Sequence, residues 1–186
     1  MLLKRLVGLC VVLLALASCG AGAVGVARSA PDGIVRSYVV TDFNFSGAPG
    51  LAVSEDEGFY PLTDVVWRGD PPGDRVAQIG AMFETAIARN ATVLRGTRRV
   101  VVDVQLQRFH GVTDRTRYSV GGIYNIIFLI TVRDAATGAV IEPTRRVVAN
   151  LNAPGGAEAS RLERSGQTQK VRVTDFLTSV MRRELV

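Results

Sequence analysis

Residues 98–109 read Arg98-Arg99-Val100-Val101-Val102-Asp103-Val104-Gln105-Leu106-Gln107-Arg108-Phe109. From Val100 onward the side chains alternate. Val100, Val102, Val104 and Leu106 share one face, and Asp103, Gln105 and Gln107 occupy the other. Successive side chains of a strand point to opposite faces, so this period of two predicts a strand with one face in a core. The polar face has to meet water or a partner. That arrangement suits an antiparallel sheet open on one side better than a parallel sheet covered on both.

The flanking sequence extends this strand into a sheet. Gly121-Gly122 opens a second long strand over residues 123–134, apolar on both faces for much of its length and therefore expected at the centre. Asn125 inside it requires hydrogen-bond partners or a bulge. Asp134-Ala135-Ala136-Thr137-Gly138 is a hairpin turn signal, and a partner strand follows from Val140 to about Ala149. Pro143 has no N–H to donate and places that strand at an edge or a bulge. Arg145-Arg146 then either protect the edge from pairing or join Arg98-Arg99 in a basic contact surface.

Upstream, residues 34–43 are rich in β-branched and aromatic side chains and predict a first strand, and Val65-Val66-Trp67 a short second one. Val76, Ile79, Phe83 and Ile87 recur at spacings of three and four, which predicts an amphipathic helix to about Asn90 with Asp74 as its N-cap. Trp67 is expected to pack against this helix. Val171, Phe176, Leu177, Val180, Met181 and Leu185 form a broad stripe on a C-terminal helix beginning somewhere in residues 167–175. The arginines of its last turn suit the helix dipole. The expected fold is α+β: one domain over residues 34–186, with a mostly antiparallel four- to five-stranded sheet and two helices packed on one face.

The first nine residues, MLLKRLVGL, set Lys4 and Arg5 before an apolar run that ends in small residues at about Ala17. This is the three-part pattern of a secretory signal, and the run is shorter than the roughly 20 residues of a membrane span. Small residues continue through Gly25 and keep an uncleaved span as the alternative. The only two cysteines are Cys10 and Cys19. Leu16-Ala17-Ser18-Cys19 resembles the lipobox of bacterial lipoprotein precursors. That resemblance implies removal of residues 1–18 as a lipoprotein signal peptide and attachment of lipid, such as palmitate, at Cys19. Residues 19–33 then form a flexible tether. The implied protein is exported and lipid-anchored, with the membrane as a partner. Gly20 stands where Asp retains many enteric lipoproteins in the inner membrane, which favours the periplasmic face of the outer membrane.

Removal of residues 1–18 takes away two of the 22 basic residues and leaves 20 against 17 acidic ones, all but Lys170 arginine. A modest positive balance of this kind suits anionic headgroups or envelope polymers, and equally an ordinary solvated surface. Scattered arginines, few aromatics and an export signal argue against nucleic acid.

No enzyme signature stands out. His110 is the single histidine, and Ser119 has no nucleophile-elbow context. One His with no Cys after residue 19 makes a poor zinc set. Glu55-Asp56-Glu57 lacks the order of a calcium loop, and Gly155-Gly156 lacks the Lys-Ser/Thr of a phosphate-binding loop. No metal or cofactor is expected.

The body resembles small uncharacterised envelope lipoproteins of marine alphaproteobacteria. The resemblance is carried by Arg99-Val100-Val101-Val102-Asp103-Val104, Tyr124-Asn125-Ile126, Asp134-Ala135-Ala136-Thr137-Gly138 and Gln169-Lys170-Val171-Arg172-Val173-Thr174. It implies a lineage and a compartment and transfers no site residues. The element order is also similar to that of auxiliary lipoproteins of envelope transport systems. The expected function is a noncatalytic envelope protein that binds a protein or an anionic envelope polymer. The alternatives are an accessory subunit of a lipid or solute transport complex and an enzyme of unknown class.

Overall fold

The computed structural model describes residues 35–186. The expected signal peptide, the tether and Cys19 lie outside the described residues. The elements run β1 (Tyr38–Gly47), β2 (Val65–Val66), α1 (Arg75–Asn90), β3 (Arg98–His110), α2 (Asp114–Arg117), β4 (Gly122–Asp134), β5 (Val140–Ala153), α3 (Gly156–Arg164) and α4 (Gln169–Leu185). The main sheet order is β1-β3-β4-β5, with β2 beside the end of β3. β3, β4 and β5 form the expected antiparallel meander, whereas β1 and β2 both pair parallel to β3. The parallel pair follows from α1, which carries the chain back across the sheet between β1 and β3.

Both long helices cover one face, as the one-sided alternation of β3 requires. Val100, Val102, Val104 and Leu106 are buried there with Tyr124, Ile126, Phe128, Ile130 and Val132 of β4. α1 supplies Ile79, Met82 and Phe83, and α4 supplies Val173, Leu177, Val180 and Met181. Phe83 is the pivot, with its ring 5.4 Å from Phe45 and edge-on to Phe128 at 5.1 Å. Aromatic pairs in such geometry contribute about 0.5–1.5 kcal/mol beyond burial. Phe45 reaches α1 because residue 80 is glycine: a Cβ there would lie 2.7 Å from its ring. Asn90 ties the helices together, its amide donating to the Ala86 carbonyl (2.9 Å) and the Thr178 carbonyl (2.8 Å). This single core draws on both long helices and every strand.

Asp74 caps α1 as expected, accepting from the Ala77 N–H at 2.9 Å. Thr168 does the same for α4, accepting from Val171 at 3.3 Å. β4 is flanked on both sides, and β5 is an edge strand whose pairing slips on either side of Val132, around Pro143.

Two expectations need correction. There are four helices rather than two. α2 is one turn on a Thr113 cap, and α3 carries helix-forming residues but buries only Ala159, so neither shows an apolar stripe. Trp67 packs on the sheet: its ring meets Phe109 edge-on at 5.5 Å and lies 6.3 Å from Tyr124, while its N–H donates to Asp70 at 2.8 Å. Gly69 makes room for it, since a Cβ there would fall 2.2 Å from the indole.

Candidate functional site

Because α1 and α4 occupy one side, the other face of the sheet is open. It presents Asn44 and Ser46 from β1, Asp103, Gln105 and Gln107 from β3, and Asn125, Ile127, Leu129, Thr131 and Arg133 from β4. Thr144, Arg146, Val148 and Asn150 complete it from β5. The polar members are joined across strands. Asp103 accepts from Asn44 at 2.8 Å and from Arg133 at 2.6 Å. The Thr131 and Thr144 hydroxyls meet at 2.7 Å, and Asn125 donates to Asn150 at 2.7 Å. Asn125 thus finds in the neighbouring strand the partner its position requires. Cross-strand pairs of this kind hold side chains in fixed positions, leaving Ile127, Leu129 and Val148 as a half-buried apolar stripe between them. A shallow hollow of about 250 Å³ lies over Asn44, Asp103, Gln105, Leu129, Thr131 and Arg133.

Arg98 and Arg99 line a larger open concavity of about 740 Å³ at one corner, with Thr41, Thr97, Asp134 and the Ala135-Ala136 turn. Arg98 is half-exposed and 3.7 Å from Asp134. Arg146 is exposed on the open face. Its neighbours in register are Leu129 and then Gln105, six residues along β3 from Arg99 and two strands away. Strand spacings put the two arginines about 20 Å apart.

Arg145 does not belong to that surface. It is buried on the covered side, donating to Glu142 at 2.7 Å and to the Glu184 carbonyl at 2.7 Å. Glu142, fully buried, is the hub of this cluster. Arg36 grips it with two hydrogen bonds of 2.9 Å, and the Tyr38 hydroxyl donates to it at 2.7 Å. Burial opposes the Glu142 charge, but Arg36, Tyr38 and Arg145 outweigh it and hold the carboxyl below the usual range. Burial and the same carboxylate push the Tyr38 phenol up to about 12. The cluster fastens the chain just before β1 to β5 and to the last turn of α4. Its local signal is the Glu142-Pro143-Thr144-Arg145 run at a slipped edge, where a carboxylate and an arginine can turn inward together.

His110 is buried, with Nδ1 3.1 Å from the Thr63 carbonyl and its ring 4.5 Å from that of Tyr60. Burial pushes its pKa down. Among the described residues no carboxylate hydrogen-bonds to it, so it lacks the orienting acid of a catalytic triad. The acidic stretch is bound by arginines: Glu55 accepts from Arg75 at 2.7 and 3.0 Å, and Glu57 pairs with Arg68. Among the described residues no group of three or more His, Cys, Asp or Glu could hold a metal ion, and no helix is long and apolar enough to cross a membrane.

A family model described as a family of unknown function, DUF6778, matches residues 38–186, from the first residue of β1 through α4. The chain belongs to that family. No curated protein gives a significant match to this DUF6778 chain. Among solved structures it is similar to a Xanthomonas campestris protein of the DUF330 family model, with 12% identity and a TM-score of 0.39 over 84% of this chain and 95% of that one. The PelC dodecamer of Paraburkholderia phytofirmans matches with 12% identity and a TM-score of 0.35 over 83% of this chain and 90% of that one. A Caulobacter crescentus chain, provisionally described as a lipoprotein, matches with 11% identity and a TM-score of 0.27 over 62% and 83%. Scores this low carry no argument about function.

Proposed function

We propose that this protein is a noncatalytic, lipid-anchored envelope protein that binds a protein or an anionic envelope polymer through the open face of its sheet. The observation that carries the reading is the one-sided architecture. Two helices close one face, and the other is left as an ordered field of cross-strand polar pairs around Ile127, Leu129 and Val148. Aliphatic side chains ringed by fixed polar groups have the composition of a recognition surface. Arg99, Arg133 and Arg146 supply its positive charge, with Arg98 at its corner and Arg145 turned to the covered side. The lipobox-like Leu16-Ala17-Ser18-Cys19 supports acylation at Cys19 and export. Gly20 favours the periplasmic face of the outer membrane.

The test is site-specific photo-crosslinking in cells, with the crosslinker at Gln105 or Leu129 on the open face and at Thr85 on the exposed side of α1 as control. Adducts from the first two positions and none from Thr85 support the reading. Equal adducts from Thr85, or none from the open face, refute it. A transporter permease in the adduct identifies an accessory subunit of a transport complex.

A further inference from the structure

Phe59, Tyr60 and Tyr118 are the exposed aromatic side chains among the described residues, and all three lie at one end of the molecule. Contacts connect them. The Phe59 carbonyl accepts from Thr116 of α2 at 2.7 Å, and Tyr118 caps that helix. Tyr60 stacks on His110, which is in register with Asn125, two residues from Ile123 on the same open face. Leu62 is 96% exposed, Val120 77% and Ile123 55%, which makes this end an apolar tip. Isolated exposed aliphatics are ordinary, but a contiguous group with every exposed aromatic marks a contact surface.

Each aromatic also carries an arginine. The Arg115 guanidinium lies 4.6 Å over the Phe59 ring, Arg117 lies 5.1 Å over Tyr118, and Arg108 donates to the Tyr60 hydroxyl at 3.4 Å. The nearby Glu55 and Glu57 are turned to Arg75 and Arg68. Arg117 is buried and pairs with Glu163, and Arg108 lies 4.0 Å from Asp64; Arg115 is exposed, and among the described residues no carboxylate comes within ion-pair distance of it. Aliphatic and aromatic groups at the apex, with the Arg115 guanidinium set back beside them, match a phospholipid boundary: acyl chains meet the former and a headgroup phosphate the latter.

Chain length permits the contact. Arg36 sits at the opposite end, where Tyr38 pairs with the first residue of β3, and the tip lies beyond its last. The thirteen residues of β3 span about 43 Å. Residues 19–34 reach at most about 55 Å when extended, so a body tied at Cys19 can turn this tip onto the same membrane.

We infer that the tip formed by Phe59, Tyr60, Leu62, Tyr118, Val120 and Ile123 is a lipid-contacting surface that lays the domain on the membrane. It is separate from the open-face reading and needs no acyl chain. The test is flotation of residues 19–186 carrying Cys19→Ala, which has no thiol to acylate, with vesicles of phosphatidylethanolamine and phosphatidylglycerol in equal parts. The protein floats with the vesicles. Leu62→Asp and Val120→Asp each lower the vesicle partition coefficient about tenfold, the loss of one buried aliphatic side chain. Val140→Asp, exposed at the far end, leaves it unchanged, and all three variants keep the wild-type melting temperature. Wild-type protein that stays unbound, or variants that bind equally, overturn the proposal. Self-association that the same variants abolish, with no vesicle binding, also overturns it and assigns the tip to a contact between copies.

Discussion

Glu142→Gln removes one charge from the most deeply buried polar cluster and changes the side chain's size very little. In the native protein the carboxylate accepts two bonds from Arg36, one from Tyr38 and one from Arg145. The Arg36 side chain is 10% exposed and that of Arg145 6%, so neither guanidinium recovers full hydration when the carboxylate is lost. Breaking a buried pair from one side costs about 3–5 kcal/mol. Arg145 retains Glu184, which puts Glu142→Gln at the low end, about 3 kcal/mol. For a domain near 150 residues each kcal/mol moves the melting temperature by about 2–4 °C, so a drop of about 6–12 °C is expected. The pH profile supplies a second reading. The folded pKa is depressed, so the contribution is present above the unfolded carboxyl value of about 4.3 and is lost as pH falls through the folded value. Glu142→Gln should flatten the acid limb of the stability curve. The assay is thermal unfolding by circular dichroism across pH 3–7. A variant melting within about 1 °C of wild type at pH 7, or an unchanged acid limb, refutes the assignment of Glu142 as the hub.

Asn90→Ala removes the bridge from α1 to the Thr178 carbonyl and leaves that oxygen short of a donor. It should cost about 1–3 kcal/mol in urea unfolding with an unchanged m-value; an unchanged midpoint refutes it. His110, the single histidine, should titrate below its ordinary value of about 6.5 by NMR, because burial disfavours the imidazolium. Stability from this group is full above that value and falls as pH drops toward the folded pKa. A midpoint at or above 6.5 contradicts the buried setting.

The local patterns carry much of this fold. The alternation of β3 places its valines in the core and leaves the opposite face open. The three-and-four spacing with Asp74 defines α1, and Pro143 marks β5 as an irregular edge. Partnering between distant segments is less visible, because periodicity says which face of an element is apolar and not which strand lies beside it. The parallel pairing of β1 with β3 is of this kind. Arg145 reads as an edge-protecting or contact charge on an edge strand, and its burial beside Glu142 depends on Arg36, Tyr38 and Glu184, which are remote in the chain. The aromatic tip is obscured for the same reason: Phe59 and Tyr60 lie in an acidic loop, and Tyr118 joins them only through α2.

Metabolic labelling with a palmitate analogue tests the anchor at Cys19 most directly. Wild-type protein should incorporate label and fractionate with the envelope membrane, and Cys19→Ala should lose both. Label that persists in Cys19→Ala contradicts the lipid-anchored reading.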